Sequence, residues 1–165
     1  MTAATSEKKA EIIAEPGKQS ITIIREFDAP RELVFKAHVD KDLMSRWMGP
    51  RRLVTEWIAF DPRSGGEWRY ISHDPEGGDY PFSGTFHLIQ APNLIVQTFE
   101  FEGLPERGHV SLERLVLEEL PGNRTRLVGT SVYFSIEDRD GMMQSGMESG
   151  VNEGYERLDE LLAEA

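Results

Sequence analysis

The chain contains no cysteine, which excludes disulfide frameworks, zinc-thiolate sites, iron-sulfur clusters and a cysteine nucleophile. Long apolar runs are also missing, so no segment approaches the roughly 18 residues needed to cross a membrane as a helix. From Met1 to Ser20 the charges of Glu7, Lys8, Lys9, Glu11 and Glu15 stand where a secretory signal needs an apolar centre. The expectation is a cytoplasmic location with no membrane insertion. Basic residues are in short supply: 18 Lys and Arg face 29 Asp and Glu, a net charge of −11. That excess repels nucleic-acid phosphates, so no nucleic-acid partner is expected.

What is present fits one domain of 165 residues, long enough to bury a core without covalent staples. Residues 1–18 are polar, end in Pro16-Gly17 and show no period, which reads as a flexible N-terminal tail ahead of a domain over 19–165. Ile21, Ile23, Ile24 and Phe27 suit a first strand, closed by Asp28-Ala29-Pro30. Leu33, Val34 and Ala37 then form the apolar side of a short helix. Asp40 can cap a second one carrying Leu43, Met44 and Trp47 on one face before Gly49-Pro50 stops it.

Between Leu53 and Phe134, turn clusters such as Asp61-Pro62, Gly65-Gly66, Glu76-Gly77-Gly78-Asp79, Ala91-Pro92-Asn93 and Pro121-Gly122-Asn123 separate six further strands. The breaks leave no room for helical crossovers, so the seven strands should form an antiparallel meander. After Ser135 the period becomes helical: Met143, Met147, Val151, Tyr155, Leu158 and Leu162 recur at three or four residues, predicting one long C-terminal helix. Ser135 and Asp138 have the spacing of a capping box, with Asp140 as a competing start. Gly146, Gly150 and Gly154 form a stripe beside its apolar face, suited to close backbone packing or to leaving volume for a ligand.

Recognisable catalytic signals are lacking. There is no G-x-S-x-G elbow, Walker loop or G-x-G-x-x-G fingerprint, and Asn123-Arg124-Thr125 reads as a turn. His38, His73, His87 and His109 lie in separate elements without metal spacing, so neither a metal nor another cofactor is expected. Glu113, Arg114, Tyr133 and His109 are the polar groups on late strands that acid-base chemistry would draw on. Strand alternation puts Trp68 and Tyr70 on one face, and Phe82 with Phe86, four apart, and Phe99 with Phe101, two apart, keep the same even spacing. Several strands can therefore present rings to one concave surface, as a packed core or an aromatic pocket.

Phe27-Asp28-Ala29-Pro30, Arg46-Trp47-Met48-Gly49-Pro50, the run from Asp61 to Tyr70, Phe82-Ser83-Gly84, Ala91-Pro92-Asn93-Leu94, Thr125-Arg126-Leu127 and Tyr155-Glu156-Arg157-Leu158 stand in an order and spacing that resembles the START-like (SRPBCC, helix-grip) superfamily. The specific branch is the one related to the C-terminal domain of the activator of Hsp90 ATPase, and the likeness runs from about Ile21 to Ala163. The resemblance implies an α+β helix-grip fold: a curved seven-stranded antiparallel sheet, two short helices after the first strand, and a long C-terminal helix over the concave face.

The resemblance also implies a small hydrophobic or aromatic ligand held between sheet and helix. The positions would be Trp47, Trp68, Tyr70, Phe86, Phe99, Phe101, Tyr133, Met143, Met147, Val151 and Tyr155. Superfamily members also include polyketide cyclases and dehydratases and chaperone activators. An enzyme of that kind and an Hsp90-contacting interaction module are thus the alternatives, with a homodimer left open.

Overall fold

The structure is a computed structural model, and it describes residues 8–165. In chain order the elements are β1 (Glu11–Ile13), β2 (Ser20–Phe27), α1 (Arg31–Val39), α2 (Lys41–Trp47), β3 (Val54–Phe60), β4 (Glu67–His73), β5 (Asp79–Gln90), β6 (Leu94–Phe101), β7 (Val110–Leu120), β8 (Arg124–Val132), α3 (Ile136–Gln144) and α4 (Met147–Ala163). The strands form one antiparallel sheet in the order β1-β2-β8-β7-β6-β5-β4-β3. The chain leaves β2, crosses the sheet through α1 and α2, enters at the opposite edge as β3, and returns strand by strand until β8 closes on β2.

Two expectations are corrected here. The sheet has eight strands among the described residues rather than seven, because Glu11–Ile13 pairs with Thr22–Ile24. The flexible tail expected over 1–18 therefore holds a strand; residues 1–7 lie outside the described ones. The C-terminal helix is two helices rather than one, since Gly146 sits between them at φ 84°, a left-handed conformation that favours glycine and ends a helix. Met143 consequently belongs to α3 and Met147 starts α4.

Local chemistry sets the other boundaries. The Asp40 side chain accepts from the Leu43 amide at 3.0 Å and caps α2, and Ser135 accepts from the Asp138 amide at 3.0 Å to cap α3. Arg157 of α4 donates to the Met48 and Gly49 carbonyls at 3.3 and 3.0 Å, satisfying acceptors that the end of α2 leaves open. Gly154 lies against the same segment: a Cβ there would stand 3.4 Å from the Trp47 carbonyl oxygen and from the Gly49 amide nitrogen. The glycine stripe thus divides. Gly154 permits a close approach, Gly150 faces open space, and Gly146 breaks the helix.

The core lies between one half of the concave face and the helices. Phe27, Val34, Leu127 and Leu158, from β2, α1, β8 and α4, are each 0% exposed. Burying side chains of this kind stabilises the fold by about 1.5–3 kcal/mol each. Arg25 is buried on the same face and reaches Asp159 of α4 with two bonds of 3.0 and 2.6 Å, a bidentate pair that fixes the helix to β2. No helix of the described residues is long and apolar enough to cross a membrane.

Candidate functional site

The other half of the concave face is not filled. A cavity of about 320 Å³ opens between β3–β8 and the helices α1, α2 and α4. Its walls are rings, supplied by the strands: Trp57 and Phe60 from β3, Trp68 and Tyr70 from β4, Phe86 from β5 and Phe99 from β6. Trp57 meets Tyr70 edge-on at 5.2 Å, and Trp68 stacks on Tyr70 at 5.7 Å and tilts against Phe99 at 6.0 Å. These offset and edge contacts hold the rings in a continuous wall. Gly84 is indispensable to it, because a Cβ at that position would fall 2.0 Å from the Thr98 carbonyl oxygen and 2.5 Å from Trp68 Cζ2.

The helices make the roof. Trp47 donates its Nε1–H to the Ala37 carbonyl at 2.9 Å and stacks on Tyr155 at 6.1 Å, so α1, α2 and α4 meet at one aromatic pair. Trp57 Nε1–H donates to Ser45 Oγ at 2.7 Å, joining the sheet edge to α2. His38 tilts against Trp47 at 4.9 Å, with its Nδ1 2.8 Å from the Val34 carbonyl. A carbonyl only accepts, so Nδ1 carries the proton. Burial pushes the imidazole down from 6.5 to about 4, the Val34 bond opposing, and the ring is neutral at pH 7.

A polar row crosses this apolar floor. The register pairs Gln97 of β6 with Glu113 of β7, and Glu113 with Ser131 of β8, which puts the three side chains in line on the concave face. Gln97 Nε2 donates to Glu113 Oε1 and Ser131 Oγ to Glu113 Oε2, each at 3.0 Å. Burial pushes the Glu113 carboxyl up, and the two hydrogen bonds pull it back in part. Tyr70 and Tyr155 also line the cavity. Burial, with the Glu113 charge adding, pushes both phenols up, so at neutral pH they are protonated donors.

Of the positions anticipated from the sequence, the structure brings Trp47, Trp68, Tyr70, Phe86, Phe99 and Tyr155 to the cavity. Phe101, Tyr133, Met143, Met147 and Val151 are not in its lining. Phe101 faces inward but packs on Phe82 at 5.1 Å and Tyr80 at 6.4 Å towards the strand end. Tyr133 follows β8, its phenol pushed up to about 12 chiefly by burial. Met143 lies on α3, which the break at Gly146 sets apart from the roof helix, and Met147 and Val151 lie on the first turns of α4, ahead of Tyr155, where that helix reaches the cavity. Among the late-strand polar groups, Glu113 is in the cavity, and Arg114 belongs to its lining as an exposed residue whose strand neighbour Glu113 is the inward one. His109 pairs with Asp138 at 3.0 Å outside the cavity.

Sequence reasoning missed Trp57, Gln97, Gly129 and Ser131 as lining residues, and missed the roles of His38 and Glu113 within the cavity. One signal was available: Glu113 interrupts the alternating series Ser111, Glu113, Leu115, Leu117, whose other members point into the protein. Among the described residues no group of three or more His, Asp or Glu side chains is placed to hold a metal ion.

Comparison with known proteins adds the lineage. A protein from Rhodobacter sphaeroides of known structure superposes with a TM-score of 0.85 at 25% identity, covering 95% of this chain and 99% of that one. One from Arthrobacter aurescens gives 0.83 at 28% identity, covering 94% and 92%. The AHSA1 protein of Silicibacter pomeroyi gives 0.72 at 23% identity, covering 87% and 97%, a likeness of fold. Among curated proteins none matches. The family profile described as Activator of Hsp90 ATPase homolog 1-like protein matches residues 28–163, which hold β3 to β8 and all four helices, and the chain therefore belongs to that family.

Proposed function

We propose that this protein binds a small hydrophobic, ring-containing molecule in the cavity between the concave face of the sheet and the helices. The observation that carries this reading is an unfilled volume of about 320 Å³ walled by six aromatic rings from β3 to β6 and roofed by Trp47 and Tyr155. Ligand pockets of roughly 300–1,000 Å³ with apolar walls and a few convergent polar groups are the usual form of small-molecule sites. Burying a ring system there removes its apolar surface from water at about 25 cal/mol per Å². The family supports the same reading through its fold.

Gly129 supplies the test. It lines the cavity floor, and a Cβ built there meets nothing closer than 3.9 Å, so a larger side chain can start from this position and take up cavity volume. The uncharged fluorophore N-phenyl-1-naphthylamine should brighten with the wild-type protein and stay dim with Gly129→Leu, whose melting temperature should equal or exceed that of wild type. Equal fluorescence from both proteins, or none from wild type, would count against the cavity as the site.

A further inference from the structure

The cavity contains one acidic group that the packing of the fold does not explain. Glu113 occupies an inward position of β7 between Ser111 and Leu115, on a face otherwise given to rings and aliphatic side chains. Its two protein partners, Gln97 and Ser131, are neutral. Each carboxylate oxygen takes one of these hydrogen bonds and keeps capacity for another.

A carboxylate in such surroundings is costly unless a cation accompanies it, and the described residues provide none. Of the bases among the lining residues, His38 is held neutral on the roof by burial, and Arg114 belongs to the opposite, exposed face of its strand. Arg25, inward-facing on β2, is already engaged by both oxygens of Asp159.

We propose that the ligand of this cavity carries a basic nitrogen, an amine cationic at neutral pH, seated against Glu113 with its apolar body among the rings. The inference rests on the cavity being the binding site, as argued above. Three features converge on a cation. Glu113 lacks a positive partner and presents acceptor lone pairs. The aromatic walls offer π faces, which attract ammonium groups within about 6 Å of a ring centroid. The net charge of −11 gives the whole molecule a field that draws cations and repels anions. With a neutral ligand burial would favour the protonated form of Glu113, an anionic one would oppose its ionisation, and a cationic amine stabilises the carboxylate.

The test uses three probes of one shape: 2-naphthylmethylamine, 2-naphthalenemethanol and 2-naphthoate, titrated calorimetrically into wild type and Glu113→Gln at pH 7.5. With wild type the amine should bind at least tenfold more tightly than the alcohol, and the naphthoate most weakly. In Glu113→Gln, which keeps the shape and loses the charge, the alcohol should bind as before and the amine should lose its advantage. The wild-type ranking needs no variant, so it stands as a test even if Glu113→Gln does not fold. An alcohol or naphthoate that equals the amine on wild type overturns the amine proposal while leaving the cavity reading intact, as does an amine preference that survives Glu113→Gln. Failure of all three probes to bind wild type overturns both.

Discussion

Lowering the pH from 7.5 to 5 should cost the wild-type fold about 2 kcal/mol more than it costs a His38→Gln variant. His38 is neutral in the folded state, its Nδ1–H bound to the Val34 carbonyl, and burial pushes its pKa from 6.5 to about 4. In the unfolded chain the same ring takes up a proton near 6.5. Between those values the unfolded state binds more protons than the native one, so stability falls as the pH falls. The full drop corresponds to about 3 kcal/mol, and at pH 5 about 2 kcal/mol of it has been lost.

Other groups titrate in the same range. His73 is held up by Asp79 and Glu56, so its contribution is present below 6.5 and is lost as the pH rises through its folded value, the opposite sense to His38. Glu113, pushed up by burial, also makes the fold less stable as the pH rises from 4.5 through its folded value. Asp28, Glu100, Glu102 and Glu160, pulled down chiefly by hydrogen bonds from Lys and Arg side chains, lose their contributions only as the pH drops below the ordinary carboxylate range. All of these are common to both proteins and cancel in the difference. Urea denaturation at pH 7.5 and pH 5 gives that difference, and NMR titration of the His38 ring in wild type gives its pKa directly. Parallel losses of stability in the two proteins, or a ring that titrates near 6.5, would refute the argument.

Two further outcomes follow from the helices. Gly150→Ala in α4 meets nothing within 4 Å and should raise stability by about 0.5–1 kcal/mol through helix propensity. Gly154→Ala should gain less, because its Cβ would stand 3.4 Å from the backbone at Trp47 and Gly49; equal gains in thermal denaturation would contradict the close approach. Asp159→Ala removes the partner of Arg25, whose side chain is 2% exposed while that of Asp159 is 33% exposed. Breaking a buried pair costs about 3–5 kcal/mol, and the part-solvated carboxylate places this one near 3. A loss below about 1 kcal/mol on urea denaturation would show the pair to be dispensable.

Much of the architecture was legible in the chain. Asp40 and Ser135 announced helix starts that the structure caps with those same side chains, and the turn clusters after Phe60 separated the six later strands. These features depend on neighbours a few residues apart. The break at Gly146 was not legible, because an apolar period of three or four residues runs through it from Met143 to Leu162 and a glycine's φ leaves no mark on that period. The strand at Glu11–Ile13 was missed for a similar reason. Three residues carry too short a pattern, and their pairing with Thr22–Ile24 is settled by the edge that β2 offers.

By itself the sequence determined the alternation that turns Trp68, Tyr70, Phe86 and Phe99 to one face, and the composition that rules out thiol chemistry. Only the tertiary structure decided which rings enclose space and which fill it, since that depends on how far the helices stand from the sheet. It also decided that Gln97, Glu113 and Ser131 meet in one row. They lie 16 and 18 residues apart in the chain, and strand register, a long-range property, brings them together.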